Sequence, residues 1–558
     1  DSILGAGRDD FVSITGGTGN NQYDIDSARV EITNAAGNNL YVIKATESNT
    51  ITSGDGRNTY KVDANLFSKI TAGNGNQQAT VTVADGASEI KLGSGDHLIT
   101  ATTNTDAGTV SGAGHNTVTA GAGNGRYIIT ANGTGDATVT TGAGNSNFDV
   151  TANTGNVTVT AGNGASRFDV DTTTGNAVVV TGNGNARFEV DTVNGNAAVT
   201  AGNGDSVFDV RAGTSDSVGG GNVNVVVGNG NSSFDLDAYN SNVSGVSIGG
   251  AVSLKAGDGN LRVDVTSERG SVVDAGNGNS SFNINSVGVA GVSALDGGAF
   301  VTMNVTAAPD SDGRAIVQLG NGSKNITINA DVIEVATGAN SDVVFDLSGE
   351  TTAVRADASG TSAANITAPA DLAKEIVLSV GGGNNSGALD AQKVTISAGN
   401  GVNQLNVDGI VVNATLGNGN NLVQMRTVNA TTTLGDGNNT VNLRAYDSPQ
   451  SVWTYQDQFD TAIKLTAGDG ANTFNLYVED TGGVLNGGTA TGGHYLKPAS
   501  INIVAGNGGN TINIPDLPTQ GSALPGSALT TISVTTGTGN DKILVGGSDI
   551  TINSGGGR

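Results

Sequence analysis

The chain contains no cysteine, and only 7 of its 558 residues are proline. The absence of cysteine excludes disulfides, thiolate metal sites and cysteine nucleophiles, and it leaves the redox compartment undetermined. The scarcity of proline excludes collagen and proline-rich disorder. Aromatic residues make up 4% of the chain and charged residues 14%. A core must therefore be built mainly from Val, Ile, Leu and Ala, which argues against a large globular interior.

Basic residues are also scarce, since 25 Lys and Arg face 51 Asp and Glu and the formal net charge is −26. Such a field repels phosphate backbones and attracts divalent cations, so we expect no nucleic-acid partner. No apolar run approaches the roughly 18 residues that a membrane-spanning helix needs, so we expect no membrane span. The chain starts at Asp1 without a recognisable signal segment, and we expect a mature or trimmed portion.

Glycine is abundant, with 87 residues, and it belongs to an internal repeat. Four copies follow one another about every 20 residues: GAGNSNFDV from Gly142, GNGASRFDV from Gly162, GNGNARFEV from Gly182 and GNGDSVFDV from Gly202. Weaker copies lie between them, at Gly155, Gly175 and Gly195. Each period therefore contains two Gly/Asn turns and two short strands.

Apolar and polar residues alternate in each strand, so that Phe168 and Val170 face one way while Arg167, Asp169 and Asp171 face the other. The turns are too wide for neighbouring strands to pair, and each strand must pair with its equivalent one period later. We therefore predict an all-β, elongated parallel β-solenoid (a right-handed β-roll or β-helix) with about 20 residues and two strands per coil, and with inserted loops.

One large apolar position recurs in most coils and predicts the register of the stack. Its members are Tyr23, Tyr41, Tyr60, Phe148, Phe168, Phe188, Phe208, Phe234, Phe282, Leu405, Val423, Val441, Phe474, Ile512 and Ile543.

Interruptions of the repeat predict three regions: a regular solenoid over 1–285, an irregular middle with degenerate coils and insertions over 286–395, and a solenoid with inserted loops over 396–558. Within the middle, Asp371–Ile376 is the best candidate for a short helical piece. The predicted loops are 446–460, 480–500 and 515–530. The first contains exposed aromatic candidates for partner binding, namely Trp453, Tyr455 and Phe459.

The half-unit resembles the RTX (hemolysin-type) nonapeptide G-G-x-G-x-D-x-U-x, in which U is a large apolar residue. The matching segments are Gly16–Asp24 (GGTGNNQYD), Gly537–Leu544 (GTGNDKIL) and Gly5–Val12 (GAGRDDFV). The resemblance implies a right-handed parallel β-roll in which the Asp at the sixth position binds calcium together with turn carbonyls. On this chain it implies calcium ligands at Asp9, Asp10, Asp541, Gly7 and Gly539.

Most coils depart from that pattern because their sixth position is neutral: Asn58, Asn116, Ser146, Ser166, Asn403, Asn421, Asn439, Asn472 and Asn510. Amides and hydroxyls bind a hard cation less well than carboxylates, but they can form hydrogen-bonded ladders. We therefore expect few calcium sites. Weaker candidates are the Gly-Asp-Gly residues Asp55, Asp258, Asp436 and Asp469, which can equally be exposed turn formers.

A second acidic feature is an outward stripe formed by Asp149, Asp169, Glu189, Asp209 and Asp235. Like charges at the strand spacing repel, so the stripe either gathers cations or is relieved by Arg167 and Arg187. A solvated face and cation bridging to a neighbouring molecule both remain open.

Little in the sequence supports catalysis, since His97, His115 and His494 are each isolated among turn residues. A β-helical polysaccharide-modifying enzyme would need Asp, Lys, Arg or His converging in a cleft on a strand face. Ice binding by a Thr-x-Thr array fits Thr158 and Thr160, but Val178 and Val180 follow one coil later. An RTX-like adhesin that binds glycan or protein through the aromatic loop stays an alternative.

The favoured hypothesis is a non-enzymatic extracellular structural protein, secreted or at the cell surface. Coil-like sequence starts by Gly5 and continues to Ile552, so neither end resembles a cap. Open solenoid ends favour head-to-tail self-association into a fibre or surface layer, or continuation into further chain. Because Asp9 and Asp541 lie in the first and last coils, calcium is the expected cofactor at the junction, and the chain itself is the expected partner, with glycans as a further candidate.

Overall fold

The computed structural model describes residues 10–104, 114–214, 220–243, 246–308, 312–348, 373–445, 462–478, 500–515, 531–547 and 549–557. Secondary structure in these ranges is β-strand, without helix. The chain divides into two compact units, Asp1–Gly278 and Asn279–Arg558. Each unit is a parallel β-solenoid, which confirms the predicted fold class.

The strands of the first unit are β1 (Phe11–Thr18), β2 (Gln22–Ala36), β3 (Leu40–Ser53), β4 (Thr59–Ala64), β5 (Phe67–Ala72), β6 (Gln77–Val83), β7 (Ala87–Leu92), β8 (His97–Thr103), β9 (Asn116–Ala120), β10 (Gly125–Ala131), β11 (Ala137–Thr141), β12 (Ser146–Ala152), β13 (Val157–Ala161), β14 (Arg167–Thr174), β15 (Ala177–Thr181), β16 (Arg187–Asn194), β17 (Ala197–Ala201), β18 (Val207–Ala212), β19 (Val223–Val227), β20 (Ser232–Ala238), β21 (Asn240–Val243), β22 (Val246–Gly249), β23 (Val252–Ala256), β24 (Leu261–Ser267) and β25 (Ser271–Ala275).

The second unit contains β26 (Ser280–Val287), β27 (Val289–Ala294), β28 (Ala299–Thr306), β29 (Arg314–Leu319), β30 (Lys324–Ala330), β31 (Val332–Thr337), β32 (Val343–Ser348), β33 (Ala373–Val380), β34 (Asn385–Ala398), β35 (Asn403–Leu416), β36 (Leu422–Leu434), β37 (Thr440–Ala445), β38 (Ala462–Ala467), β39 (Thr473–Val478), β40 (Ser500–Ala505), β41 (Thr511–Ile514), β42 (Thr531–Thr536), β43 (Lys542–Val545) and β44 (Asp549–Ser554).

Each strand pairs in parallel with the strand of the same sheet one coil later, as the repeat predicts. For example, β14 pairs with β16 in a register that sets Phe168 beside Phe188 and Val170 beside Val190. Two sheets result in each unit. The sheet with the recurring large apolar position, which we call the aromatic sheet, contains β4, β6 and the following even-numbered strands to β20, and the odd-numbered strands from β5 to β19 form the second sheet.

Some coils of about 18 residues replace one of the two turns with a bend inside a long strand. Strands β2 and β3 in the first unit, and β34, β35 and β36 in the second, each contribute to both sheets. In β2 the register shifts between Ser27 and Arg29, where the chain passes from one sheet to the other. The shift acts as a bulge, in which one strand of the pair contains an extra residue and bends sharply. Only β21 and β22 depart from parallel pairing among the described strands, as a small antiparallel hairpin.

The recurring large side chains stack on one another inside the first unit. Tyr23, Tyr41 and Tyr60 form one stack, with ring centroids 5.3 and 4.9 Å apart. A longer stack runs from Tyr127 through Phe148, Phe168, Phe188 and Phe208 to Phe234, with centroid distances of 4.6 to 5.2 Å. These rings are buried, so the predicted track is confirmed and Tyr127 joins it.

Glycine at the turns is required by close backbone contact between coils. Gly437 has φ +133°, which favours glycine, and a Cβ there would lie 2.1 Å from the carbonyl oxygen of Gly419 in the preceding coil. The turns therefore stack as tightly as the strands do, which explains the glycine content.

The predicted helical piece is wrong where the structure describes it, because Ala373–Ile376 begin strand β33. Ile376, Leu378 and Val380 are buried in alternation, and Glu375 accepts a hydrogen bond from Lys393 Nζ across the strands at 2.7 Å. Sheet pairing thus overrides a weak local helix preference. Asp371 and Leu372 lie outside the described residues.

The three-region division stays a prediction, although described residues of the predicted irregular middle form the paired strands β27 to β33. The predicted loops 446–460, 480–500 and 515–530 lie outside the described residues, except for Ser500 and Pro515. Among the described residues, no helix is long and apolar enough to cross a membrane.

Candidate functional site

A ladder of buried asparagines lies along the turns of the second unit. The side-chain amide of Asn403 donates to Asn421 Oδ1 at 2.7 Å, and the same contact links Asn421 to Asn439 at 2.8 Å. It continues from Asn439 to Asn472 and from Asn472 to Asn510 at 2.9 and 3.0 Å. The expected ladder at the sixth position is therefore present. It begins one coil earlier, at Asn385.

The same amides also donate to carbonyls of their own turns. Asn439 Nδ2 lies 3.0 Å from the carbonyl oxygen of Gly435 and 3.1 Å from that of Gly437, and equivalent pairs of contacts are made by Asn421, Asn472 and Asn510. We call this pair of turn carbonyls the carbonyl cradle. An N–H donor supplied by the chain thus satisfies oxygen atoms of the type that bind hard cations.

Other donors occupy the equivalent position elsewhere. Lys324, which is buried, directs its ammonium group to the carbonyl oxygens of Gly297 and Asn321. Gln77 donates to Gly56 O at 2.9 Å, and His97 Nε2 lies 3.0 Å from Gly93 O. Lys324 and Gln77 thus each reach a carbonyl of the preceding coil, whereas His97 contacts a carbonyl of its own turn. Sequence analysis missed Lys324, because its neighbours in the repeat are not basic.

Burial shifts the pKa of two of these groups. Desolvation lowers the pKa of His97 below its ordinary value, against the opposing effects of the Gly93 carbonyl and Asp96. Its Nδ1 is buried and has no hydrogen-bond partner among the described residues. Desolvation likewise lowers the pKa of Lys324, and nearby Asp296 opposes the shift. The neutral imidazole therefore fits the turn as a ladder member.

The ladder ends on a carboxylate. Asp541 Oδ1 accepts hydrogen bonds from the backbone and side-chain amides of Asn510, both at 2.9 Å, and Oδ2 accepts one from Thr536 Oγ1 at 2.7 Å. Partial burial would raise the pKa of Asp541, but these hydrogen bonds outweigh it and the pKa lies below its ordinary value. Asp541 is therefore ionised near neutral pH.

The oxygen atoms around Asp541 fit part of a calcium shell. Unlike asparagine, an ionised carboxylate has no N–H for the carbonyl cradle of its own turn, which consists of Gly537 and Gly539. These carbonyls and the carboxylate are hard oxygen donors of the type that calcium prefers, but calcium takes 6 to 8 of them. Nowhere in the described ranges do three or more His, Asp or Glu side chains gather as a metal-binding group. A cation at Asp541 would need further oxygen ligands from elsewhere.

The remaining metal candidates are distributed as follows. Gly7 and Asp9 lie outside the described residues. Asp10 is exposed, and its backbone carbonyl accepts a hydrogen bond from Ser27 Oγ at 2.6 Å. In the weaker group, each carboxylate accepts a backbone N–H from the equivalent turn of the next coil: Asp55 from Asn74, Asp258 from Asn277, Asp436 from Asp469 and Asp469 from Asn507.

Neutral residues make the same exposed contact in adjacent coils, for example Asn418 with the N–H of Asp436 at 2.8 Å. The Gly-Asp-Gly acids therefore make the contact of a turn former, and calcium binding by them stays a prediction. Asn116 begins β9 in the second sheet, and its side-chain amide donates to Thr130 O at 2.6 Å.

The acidic stripe is an outward column of the aromatic sheet, as predicted, and a second acidic column lies beside it. Its members are Asp171, Asp191 and Asp237, with Arg211 between the last two in the register. Arg167 Nη2 lies 3.2 Å from Glu189, and Arg211 lies 3.1 Å from Asp209 and 3.5 Å from Asp237. Arginines therefore neutralise part of the face. Sequence analysis named Arg167 for this role but missed Arg211.

The two acidic columns adjoin at Asp171, an exposed residue whose carboxyl is partly desolvated by its neighbours. This desolvation, together with the charges of Asp169, Asp191, Asp149 and Glu189, raises the pKa of Asp171 to about 6. Burial also raises the pKa of Asp191, although Arg211 opposes the shift. The face thus stores electrostatic repulsion at neutral pH, which protons, cations or a basic partner would relieve.

A groove of about 450 Å³ lies on the aromatic sheet of the second unit. It is lined by Asp346, Asp390, Asp408 and Arg426, among others. It forms because Ala388, a small residue, lies between Asp346 and Asn406 in an outward column. This is the type of convergence on a strand face that a polysaccharide-modifying site would require.

The predicted partner-binding residues Trp453, Tyr455 and Phe459 lie outside the described residues. Comparison of the chain with models of known families, with curated proteins and with solved structures found no match.

Proposed function

We propose that the chain is a non-enzymatic, extracellular structural element that associates head to tail through its solenoid coils, with calcium assisting at the junction near Asp541, to build a fibre or surface layer. The observation that carries the proposal is that the asparagine ladder ends on an ionised carboxylate, Asp541, so that its own turn lacks the amide donor of the preceding turns. Ile550 and Ile552 in β44 are 36% and 49% exposed, whereas their partners Ile532 and Val534 in β42 are fully buried.

Another coil covers the corresponding side chains elsewhere in the unit, so a coil stacked on β44, whether from further chain or from a second copy, would bury Ile550 and Ile552. The inward side chains of β44 are apolar, and one edge of β44 has no pairing partner among the described strands. Unpaired edges of parallel strands template the addition of a further strand. Because such a contact joins two different surfaces, it need not close and yields fibres or lattices.

Asp541 lies in the same coil and adds a cation-dependent element. Its carboxylate is ionised and partly satisfied, and the carbonyl cradle of its turn has no asparagine N–H from its own coil. A coil stacked on this surface would bring further turn oxygens towards the same place. Calcium bound there would gain affinity only in the assembled state, and this links assembly to calcium.

The test is sedimentation of the purified chain over a range of concentrations, with calcium and with chelator. We expect large assemblies that calcium promotes. Ile552→Lys should abolish assembly, because a charge replaces the apolar contact. Asp541→Asn, which extends the asparagine ladder, should remove only the calcium dependence. Asp469→Asn is the matched control, with the same charge change in an interior turn. A strictly monomeric chain at high concentration in calcium would refute the proposal.

The second part of the proposal is that the chain has no enzymatic activity. Isolated histidines and a strand surface rich in Thr, Ser, Asn and Asp support it. If the chain were an enzyme, the groove lined by Asp346, Asp390 and Asp408 would be the expected active site. Degradation of alginate, pectin or another anionic polysaccharide by the chain, lost in Asp390→Asn, would overturn the non-enzymatic assignment without affecting the assembly test.

A further inference from the structure

The second sheet of the first unit carries a face without charged residues. Its outward side chains come from six consecutive strands of the sheet: Thr117 and Thr119 in β9, Thr138 and Thr140 in β11, Thr158 and Thr160 in β13, Val178 and Val180 in β15, Ala198 and Thr200 in β17, and Asn224 and Val226 in β19. We call this surface the charge-free face. It extends the threonine pair at Thr158 by two coils that sequence analysis did not include.

Charged residues bound the face at both ends of the coil stack. Thr117 and Thr119 adjoin Glu89 and Lys91 of β7, and Val226 adjoins Lys255 of β23. Along one side it meets the turn ladder in which Asn156, Asn176 and Asn196 each accept the backbone N–H of the next coil. Asp136 and His115 continue this ladder in the two preceding turns, where His115 Nδ1 accepts the N–H of Asp136 at 2.9 Å. The face is thus a defined patch rather than a general property of the sheet.

The opposite face of the same coils is the acidic one described above. Strands β12, β14, β16 and β18 place Asp149, Asp169, Glu189 and Asp209 outward, on the other side of the core from the threonines and valines. A chain with a net charge of −26 repels its own copies at most orientations. The charge-free face is where two copies can approach without setting carboxylates against each other.

We propose that the charge-free face is a lateral contact between two copies of this chain, packed sheet against sheet. Flat parallel sheets in register, with β-branched side chains, pack closely against an identical sheet at about 10 Å. A two-fold axis in the plane of contact and parallel to the coil stack sets each row against the same row of the partner. The three threonine rows then meet threonine rows, and the row of Val178 and Val180 meets the same valines of the second copy.

The area limits the strength of this contact. Six strands at about 4.8 Å span roughly 29 Å, and two outward columns are about 10 Å wide, so each copy contributes on the order of 300 Å². A stable dimer buries about 800 Å² per partner. The pairing of single chains is therefore weak and concentration-dependent, and salt strengthens it by screening the net negative charge. It does not depend on head-to-tail association, which uses a different surface.

Single-cysteine variants provide a direct test, because the natural chain has no cysteine. Thr158→Cys places a thiol in the middle of the face, and Thr151→Cys places one on the acidic side with similar, intermediate exposure. Each is treated with a short thiol cross-linker, and the yield is normalised to labelling by a monofunctional reagent. Ile552→Lys in both backgrounds removes end-to-end contacts. We expect Thr158→Cys to give covalent dimers at least tenfold faster than Thr151→Cys.

A further variant tests the orientation. Thr117→Cys places the thiol in β9, the end row of the face. If equal rows meet, the thiols of the two copies lie close enough to be cross-linked. If the two coil stacks are antiparallel, the thiols are about 24 Å apart. Cross-linking of Thr158→Cys without Thr117→Cys would refute the row-matched arrangement. Equal rates for Thr158→Cys and Thr151→Cys would overturn the contact itself. So would a chain that stays monomeric but inhibits ice growth in a manner lost in Thr158→Lys, because ordered water would then be the occupant.

Discussion

Two regions of the molecule build the same coil with different interiors. In the first unit, from β10 to β20, stacked rings fill the recurring position, and the sixth positions are small: Gly125, Ser146, Ser166, Ala186, Ser206 and Ser232. In the second unit, from β35 to β41, the recurring position holds Leu405, Val423, Val441, Phe474 and Ile512, and the sixth positions form the asparagine ladder. We call these regions the aromatic block and the amide block.

The comparison separates two means of holding a register. Ring stacking in the aromatic block buries much apolar area and depends little on direction, whereas the amide block depends on directional hydrogen bonds that are expensive to leave unmade. At Gly125 a Cβ would lie 2.3 Å from the ring of Tyr127, so a larger residue there would require that ring to move. Changing one interior should therefore have different consequences from changing the other.

The largest effect is expected in the aromatic block. Phe188→Ala removes a fully buried ring stacked at 4.9 and 4.6 Å on Phe168 and Phe208. We expect a loss of about 3–5 kcal/mol in unfolding free energy. The measurement is urea unfolding combined with hydrogen exchange, which assigns the loss to the first unit. Val441→Ala, at the equivalent position of the amide block, should cost less, and equal losses would mean that ring stacking adds nothing special.

A smaller loss is expected from the ladder itself. Asn439→Ala removes the acceptor of Asn421 and the donor to Gly435, Gly437 and Asn472, and leaves buried polar groups unsatisfied. We expect about 1–3 kcal/mol. The matched control is Asn438→Ala, one residue away in the exposed turn ladder, where water replaces the lost contact. Similar urea midpoints for both variants would show that burial of the ladder is unimportant.

Replacing the amide by an acid should convert stability into metal dependence. In Asn439→Asp an ionised carboxylate faces the carbonyls of Gly435 and Gly437 without an N–H to donate. We expect destabilisation comparable to that of Asn439→Ala in chelator, and recovery in millimolar calcium, because a cation restores the missing positive partner. Thermal melts with and without calcium measure this. Absence of recovery would show that the cradle does not accept calcium when a carboxylate is provided.

The acidic face predicts a pH effect confined to the first unit. The pKa of Asp171 is about 6 in the fold and about 4 in unfolded chains. The folded state therefore holds the proton more tightly, and this group's contribution to stability is present below pH 4 and lost as pH rises through 6. Asp171→Asn should unfold at higher urea than the natural chain at pH 8 and at the same urea at pH 4.

His97 contributes in the opposite direction, because its lowered pKa makes stability fall as pH drops below about 6.5. This contribution is the same in the natural chain and in Asp171→Asn, so it cancels when the two are compared at equal pH. Asp274→Asn, which changes the same charge on the second sheet, serves as the control. A pH-independent difference between Asp171→Asn and the natural chain would exclude repulsion on the acidic face as the cause.

The smallest effect is expected from chelation of the natural chain. Several turns satisfy their carbonyls with Asn, Gln, His or Lys donors, and the sixth positions of the aromatic block are Gly, Ser or Ala, which are poor calcium ligands. EDTA should therefore leave the circular dichroism signal of the strands nearly unchanged. Loss of the whole β-signal would show that turn carbonyls and the Gly-Asp-Gly acids hold far more calcium than the ladder leaves room for.

Sequence reasoning succeeded where the repeat is strict. The alternation at Phe168 and Val170 predicted which side chains are buried, and the spacing of Phe148, Phe168 and Phe188 predicted the register. It failed at Ala373–Ile376, because a short polar segment has similar helix and strand preferences and only pairing with β31 and β34 decides between them. It also missed Lys324, Arg211 and the extended threonine face, since each depends on which coils are neighbours.

By itself, the sequence determined the coil, because a turn of glycine and asparagine followed by alternating residues permits one local geometry and one direction of stacking. It also determined that the sixth position is mostly neutral. Only the tertiary structure decided which turn meets which donor, which acids adjoin and which face is free of charge. These properties depend on register across insertions of unequal length, and the coil repeat does not encode the identity of a side chain's neighbour one layer away.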